Sequence, residues 1–407
     1  MELRDYQKKI VNESVSILNS HRFVYLAMEV RTGKTITSLS IAEELGVENV
    51  LFLTKKKAIS SISKDCDMLC PNSFSLFIIN YESIHKIPNL KWDMIILDEA
   101  HGLGAFPKPS NRAKQVANII KKNSPYVCLL SGTPTPESYS QMYHQVYGIP
   151  SNPFSMYTNF YRFSDDHVNK VQKKVNGFNL NDYSDGKQSI NDAMRKYMIS
   201  YTQKQAGFES EIEEEILTVS VNTIHICNKL KRDLVIEMED DEVILADTGV
   251  KLMSKLHQMY SGTVKFESGK SIVLDTSKAE FIKWRFDGQK IGVFYKFKAE
   301  LNALKQVFGN DLCTDLDTFD NTDCKVIALQ IVSGREGISL RNAEHIVFYN
   351  IDFSATSYWQ ARDRMTTKDR KYNKIYWIFS DGGIEKKVYK AVINKKDYTL
   401  NHFRRDV

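Results

Sequence analysis

The segment that most constrains this chain is Gly33-Lys34-Thr35, placed between the apolar run Phe23-Val24-Tyr25-Leu26-Ala27 and a helix-forming stretch over 35–45. A glycine, lysine and threonine turn between a buried strand and a helix offers backbone N–H groups and a helix N-terminus to a phosphate chain. The lysine neutralises the β and γ phosphates, and the threonine hydroxyl reaches a magnesium ion. A second apolar run, Met94-Ile95-Ile96-Leu97, leads directly into Asp98-Glu99-Ala100-His101. An Asp at the end of a buried strand completes a magnesium site, and the Glu after it polarises water. An acidic helix start would explain this second segment alone, but not its partner. Together the two segments point to a nucleotide-driven motor.

The surrounding pattern fits a parallel α/β sheet. Strand-like runs at 23–28, 50–54, 74–80, 94–98 and 126–131 alternate with helical stretches at 35–45, 58–69 and 111–121, as such a sheet requires. Both motifs then fall just past strand carboxyl ends, where open α/β sheets bind their ligands. From 151 to 208 aromatics crowd together (Phe154, Tyr157, Phe160, Tyr161, Phe163), and an acidic run follows at 209–215. This stretch reads as a helical extension ending in a solvated, charged helix face or linker. A second alternating block has strands at 291–295, 324–330, 345–349 and 375–380 and helices at 248–260, 298–308, 355–363 and 384–394. The expected architecture is therefore two tandem lobes: 1–150 as the ATP-binding lobe, 151–215 as helical extension, 216–407 as the second lobe.

Composition excludes several classes. At 407 residues, 42% hydrophobic and 11% aromatic, the chain is long enough for two cores and ordinary for a soluble globular protein. No run approaches bilayer length and no signal-peptide core opens the chain, so the expectation is a cytoplasmic protein with no membrane partner. Six scattered cysteines, Cys66, Cys70, Cys128, Cys227, Cys313 and Cys324, complete no zinc site and are expected as free core thiols. A net charge of +5 is compatible with transient contact to a polyanion.

With these residues in hand, the chain resembles the superfamily 2 helicases and translocases, and within them the Snf-like branch with its DEAH box. Arg4-Asp5-Tyr6-Gln7 is similar to that family's entry motif, which implies that Arg4 and Gln7 contact the adenine. An amide that both donates and accepts suits a base edge. Glu29 through Thr35 resembles the family's Glu-Met-Gly-Leu-Gly-Lys-Thr loop, with Arg31 where the first glycine stands. Thr32, Gly33, Lys34 and Thr35 would then cradle the phosphates. Ser131-Gly132-Thr133-Pro134 is similar to the motif that couples phosphate sensing to lobe movement. The implied fold is α/β, two tandem RecA-like lobes of parallel sheets flanked by helices, and the implied cofactors are ATP and Mg²⁺.

The resemblance continues through Ser333-Gly334-Arg335-Glu336-Gly337 and Gln360-Ala361-Arg362-Asp363-Arg364. It implies that Gly337 approaches ATP and that Gln360 and Arg364 act across the cleft, with Arg364 as the arginine finger. Here the chain departs from its relatives: the family's second arginine position is Thr367. The implied nucleic-acid contacts are Thr54, Lys55, Asn80, Tyr81, Thr133, Ser333, Gly334 and Arg335, all sequence-independent grips on a phosphate backbone. DNA is the expected track, with RNA as the second candidate, for a monomeric motor. The family and the small, Asn-, Lys- and Tyr-rich chain imply a bacterial or phage source. The competing expectation is a clamp or scaffold that binds nucleic acid with weak or no hydrolysis, motivated by Thr367.

Overall fold

The computed structural model describes residues 2–69, 73–175, 178–207, 211–238, 240, 242–331, 340–354, 357–358 and 372–394. The chain divides into two units, Met1–Gly207 and Phe208–Val407. No helix among the described residues is long and apolar enough to cross a membrane.

The first unit runs α1 (Asp5–His21), β1 (Phe23–Met28), α2 (Lys34–Glu44), β2 (Asn49–Thr54), α3 (Ile59–Leu69), β3 (Ser75–Asn80), β4 (Met94–Leu97), α4 (Asn111–Asn123), β5 (Tyr126–Leu130), α5 (Met142–Gln145), α6 (Phe160–His167), β6 (Val171–Val175), β7 (Phe178–Asp182), α7 (Ser189–Met194) and β8 (Met198–Tyr201). Six strands form one parallel sheet in the order β3-β2-β4-β5-β1-β8. Near-continuous apolar strands such as Met94-Ile95-Ile96-Leu97 are what a sheet covered on both faces needs. Successive side chains alternate between two cores. Tyr25, Leu51, Leu53, Ile95 and Leu97 face one side; Val24, Leu26, Phe52, Met94 and Ile96 face the other, under α1, α2 and α3.

The segment expected as a helical extension has a different make-up. It holds α6 and α7 but also the antiparallel β6–β7 hairpin and β8, which pairs with β1 at the sheet edge. Its aromatics are core: Phe154, Phe160 and Phe163 pack with Tyr143 against the first sheet. Tyr161 alone among the five is largely exposed.

The second unit runs β9 (Glu211–Val219), α8 (Ile224–Asp233), β10 (Val235–Glu237), β11 (Val243–Leu245), α9 (Gly249–Tyr260), β12 (Thr263–Lys265), β13 (Ser271–Val273), α10 (Ser277–Arg285), β14 (Ile291–Tyr295), α11 (Lys298–Phe308), β15 (Leu312–Cys313), α12 (Leu316–Asn321), β16 (Val326–Gln330), β17 (His345–Phe348), β18 (Tyr372–Ser380) and the helix Glu385–Val392. Its six-stranded parallel sheet has the order β15-β16-β14-β17-β18-β9. The expected pair of parallel sheets flanked by helices is therefore what the chain forms. The helix expected over 355–363 lies largely outside the described residues.

The acidic run corrects one expectation. Glu211–Val219 is a strand, not a helix face or linker, and it pairs along its whole length with β18. Its period-2 pattern explains why. Glu213 and Glu215 reach Lys374 at 3.3 and 2.8 Å. Glu214, on the opposite face, accepts hydrogen bonds from Trp377 Nε1, Tyr358 Oη and Tyr389 Oη at 2.7–2.9 Å. Charges suit an edge strand, where they discourage pairing with a second chain. The free thiols are as expected: Cys66, Cys128, Cys227 and Cys313 are buried and Cys324 is partly so, while Cys70 lies outside the described residues.

Candidate active site

The loop from β1 to α2 is shaped by backbone conformations that most residues avoid. Gly33, at φ +83°, caps α2, and a Cβ there would stand 2.3 Å from Gln7 Nε2. Only glycine fits. Arg31 also takes a left-handed conformation, φ +63°, in the place where the resembling family has glycine. A non-glycine residue pays about 1–2 kcal/mol for that conformation. Thr32 is buried and its hydroxyl donates to the Glu29 carbonyl at 2.7 Å. The Lys34 ammonium folds back onto the carbonyls of Met28 and Glu29, at 2.9 and 3.2 Å. Thr35 is the second residue of α2 and is partly buried.

The entry motif packs on this loop. Gln7 is buried, lies over Gly33, and accepts from the Arg4 amide at 2.9 Å. Tyr6 Oη donates to the Thr32 carbonyl at 3.0 Å and its ring stacks on Tyr201 at 4.6 Å. Arg4 is exposed and its guanidinium reaches Tyr6 Oη at 3.2 Å.

The second motif closes the other side. Asp98 is held at four points: its amide donates to Leu53 O (2.9 Å), Oδ2 accepts from Thr54 Oγ1 (2.7 Å), Oδ1 accepts from the Glu99 amide (3.0 Å), and its carbonyl accepts from Tyr81 Oη (2.7 Å). Burial, then the neighbouring Glu99 carboxylate, push the Asp98 carboxyl up to about 6, against the Thr54 hydrogen bond and the Lys34 charge. Glu99 is left-handed, φ +49°, which turns the following residues back over the strand ends. His101 Nδ1 lies 3.2 Å from Glu99 Oε2 and 3.0 Å from Ser131 Oγ, which in turn accepts from the Thr133 amide at 3.1 Å.

Sheet order brings the motifs together. β5 sits between β4 and β1, so Ser131 and Gly132 at its end lie between Asp98-Glu99 and the Lys34 loop. A Cβ on Gly132 would stand 3.7 Å from Lys34 Nζ. The arrangement places an ammonium, two carboxylates and a row of bent backbone beside one another.

The strand-end rim departs from expectation at two positions. Thr54 and Tyr81, expected to touch a phosphate backbone, are buried at 0% and 4% exposure and spend their hydroxyls on Asp98. Lys55, Asn80 and Thr133 are partly exposed on the rim. Asn80 donates to Glu82 at 3.0 Å. Ser333, Gly334, Arg335, Gly337, Gln360 and Arg364 lie outside the described residues. Two groups at the site carried no sequence signal. Gln203 donates its amide to Glu29 Oε2 (2.7 Å) and its Nε2 to Val30 O (3.0 Å). Tyr25 donates to Gln145, whose Nε2 donates to Pro134 O, both at 2.7 Å. Both join segments distant in sequence, and no local pattern announces such a pairing.

Residues 61–235 match the SNF2-related domain. Residues 1–65 match the Type III restriction enzyme, res subunit. The chain is similar, at 19% identity over 96% of its length, to the Chromodomain-helicase-DNA-binding protein 3 homolog of Caenorhabditis elegans, of which it spans 22%. It is 20% identical over 80% of its length to the CHD3-type chromatin-remodeling factor CHR7 of Arabidopsis thaliana, spanning 28% of it. Over 36% of its length it is 23% identical to Helicase SWR1 of Saccharomyces cerevisiae, spanning 11% of it. Among solved structures it is similar to the Sulfolobus solfataricus SWI2/SNF2 ATPase core in complex with dsDNA (14% identity, 100% of this chain and 93% of that one, TM-score 0.43). The chain thus spans under a third of the length of these curated relatives, all of them eukaryotic.

Proposed function

We propose that this chain is a Snf2-like, ATP-dependent DNA motor that hydrolyses ATP between its two lobes while tracking a DNA backbone. The observation that carries the reading is the convergence of Lys34, Asp98, Glu99 and His101 on the ends of three adjacent strands, with Ser131 and Gly132 between them. A phosphate chain would sit on the amides of 31–35, and the Lys34 ammonium would leave the carbonyls of Met28 and Glu29 for it. Gln7 and Arg4 would face the adenine. Glu99 would orient the attacking water, and His101 would report the state of Glu99 to Ser131.

The donor set fits magnesium. One carboxylate, Asp98, and one hydroxyl, Thr35, are what Mg²⁺ takes from protein when phosphates and waters supply the rest. Burial, and after it the Glu99 carboxylate, raise Asp98, and a divalent cation beside the pair relieves the charge repulsion between them. When bound, the ion neutralises charge on the β and γ oxygens.

In this reading Gly337, Gln360 and Arg364 complete the site from the second lobe. Lys55, Asn80, Thr133, Ser333, Gly334 and Arg335 grip phosphates without reading bases. The names of the relatives favour DNA over RNA, and translocation over strand separation follows from the Snf-like resemblance. Within the same reading the motor is monomeric, and the Asn-, Lys- and Tyr-rich composition is the ground for a bacterial or phage source. The second reading, a clamp with weak hydrolysis, rests on Thr367 at the second arginine position. Displacement of a triplex-forming strand from duplex DNA separates the two. ATP-dependent displacement supports the motor; duplex binding without displacement, in ATP, supports the clamp.

A further inference from the structure

The two strands that present the rim also hold Asp98. Thr54 ends β2 beside Lys55, and Tyr81 follows β3 between Asn80 and Glu82. Tyr81 is 4% exposed, and burial drives its phenol well above the ordinary tyrosine range, so it remains a hydrogen-bond donor to the Asp98 carbonyl. The other face of its ring lies toward solvent-accessible charge. The Arg112 guanidinium covers the ring at 4.9 Å, pairs with Glu82 at 2.8 Å, and stands 3.4 Å from where a Cβ of Gly102 would be. Gly102 belongs to the same short turn, Ala100–Leu103, that carries His101.

We infer that Arg112 and Tyr81 form a relay in which a phosphodiester backbone on the rim acts, through Tyr81, on the Asp98-Glu99 turn. Arg112 is the responsive end. Its pair with Glu82 is solvent-exposed on both sides, with over a third of each side chain accessible, and exposed pairs of this kind are weak. A polyanion competes for that guanidinium, because arginine matches phosphate geometry with two parallel donors. Moving the guanidinium changes what covers the Tyr81 ring and what packs on Gly102. Both contacts lead within one hydrogen bond or one turn to Asp98 and His101. Tyr81 is thus a positioning residue: it touches neither nucleotide nor polynucleotide, but fixes the main chain from which Asp98 and Glu99 project.

The inference rests on the motor reading and is tested separately from it. Steady-state ATP hydrolysis is measured with and without a duplex DNA, as the ratio of stimulated to DNA-free rate, and as the DNA concentration giving half stimulation. For Tyr81→Phe the ratio is expected to fall about tenfold while half-saturation moves less than twofold. For Arg112→Gln half-saturation rises, and the log–log salt slope of DNA binding falls by about 1, one phosphate contact. For Glu82→Gln, which releases Arg112 without touching Tyr81 or Asp98, half-saturation falls. A Tyr81→Phe protein whose two rates drop by the same factor, leaving the ratio intact, overturns the relay and leaves only a structural hydroxyl. An Arg112→Gln protein with unchanged half-saturation overturns it as well. A wild type that DNA does not stimulate removes the motor reading, and the relay with it.

Discussion

The two units are built on the same kind of six-stranded parallel sheet, yet their strand ends are finished in opposite ways. In the first, the ends of β1 and β4 turn through left-handed residues, Arg31, Gly33 and Glu99, and leave Lys34, Asp98 and Glu99 partly accessible. In the second, the described ends of β14, β17 and β18 are tied down by buried side chains from the flanking helices. Lys278 and Glu385 form a 2.9 Å ion pair at 1% and 0% exposure. His257 Nε2 meets Asn350 Oδ1 at 2.6 Å, Asn350 Nδ2 donates to Glu300 at 2.6 Å, and Glu300 accepts the amides of Lys296 and Phe297 at 2.7 and 2.9 Å. Charge at partly accessible turns can be reached by a ligand that displaces its local partners. Charge consumed in a buried network fixes the position of its elements. The first unit should therefore be sensitive in its chemistry, and the second in its stability.

The sharpest way to break that contrast is Lys278→Ala. Removing one partner strands the Glu385 carboxylate in the core, a loss of about 3–5 kcal/mol, read as early melting of the second unit's signals in hydrogen exchange. If Lys278→Ala melts with the wild type, the buried network is not what holds this unit.

Acid comes next, and it tests both units. Burial depresses His144 of the first unit to about 4 and His257 of the second well below its ordinary value. A histidine neutral in the fold but cationic when unfolded stabilises fully above the unfolded value, about 6.5. That contribution is lost as pH falls through 6.5 toward 4. For His144 it is of order 3 kcal/mol. Urea unfolding at pH 7.5 and pH 5 should show the loss, and His144→Gln should remove much of the pH dependence from the first unit.

A smaller effect should follow from Ser131→Ala, which deletes the oxygen shared by His101 Nδ1 and the Thr133 amide. Stimulated hydrolysis should fall about tenfold, or about 1.4 kcal/mol, with little change in melting. The smallest effect is expected from Arg31→Gly. It relieves a left-handed residue and should raise stability by up to about 1 kcal/mol, visible as a small rise in Tm; a fall in Tm would show that the Arg31 side chain stabilises the loop.

Much of the fold was readable because parallel strands buried on both faces are unbroken apolar runs. Ile291–Tyr295 and Phe23–Met28 have the bounds their sequence suggests. The acidic β9 escaped because its first half, Glu211–Glu215, has Ile212 as its one apolar residue among four glutamates, and only pairing with β18 makes that half a strand. The short hairpins escaped for a similar reason, lacking enough length for a period to show. In the site, the motif residues were legible from spacing. The uses of Thr54 and Tyr81 were not, because a rim residue and a residue propping Asp98 from beneath occupy adjacent positions on the same strand end. Gln203 closes on Glu29 across more than 170 residues, a contact that exists only once β8 has joined β1.

The most direct test is steady-state ATP hydrolysis by wild type and Lys34→Ala, without nucleic acid and with single-stranded DNA, duplex DNA and RNA in turn. The account predicts strong stimulation by DNA, lost in Lys34→Ala. A flat, negligible rate for the wild type under all four conditions would contradict it.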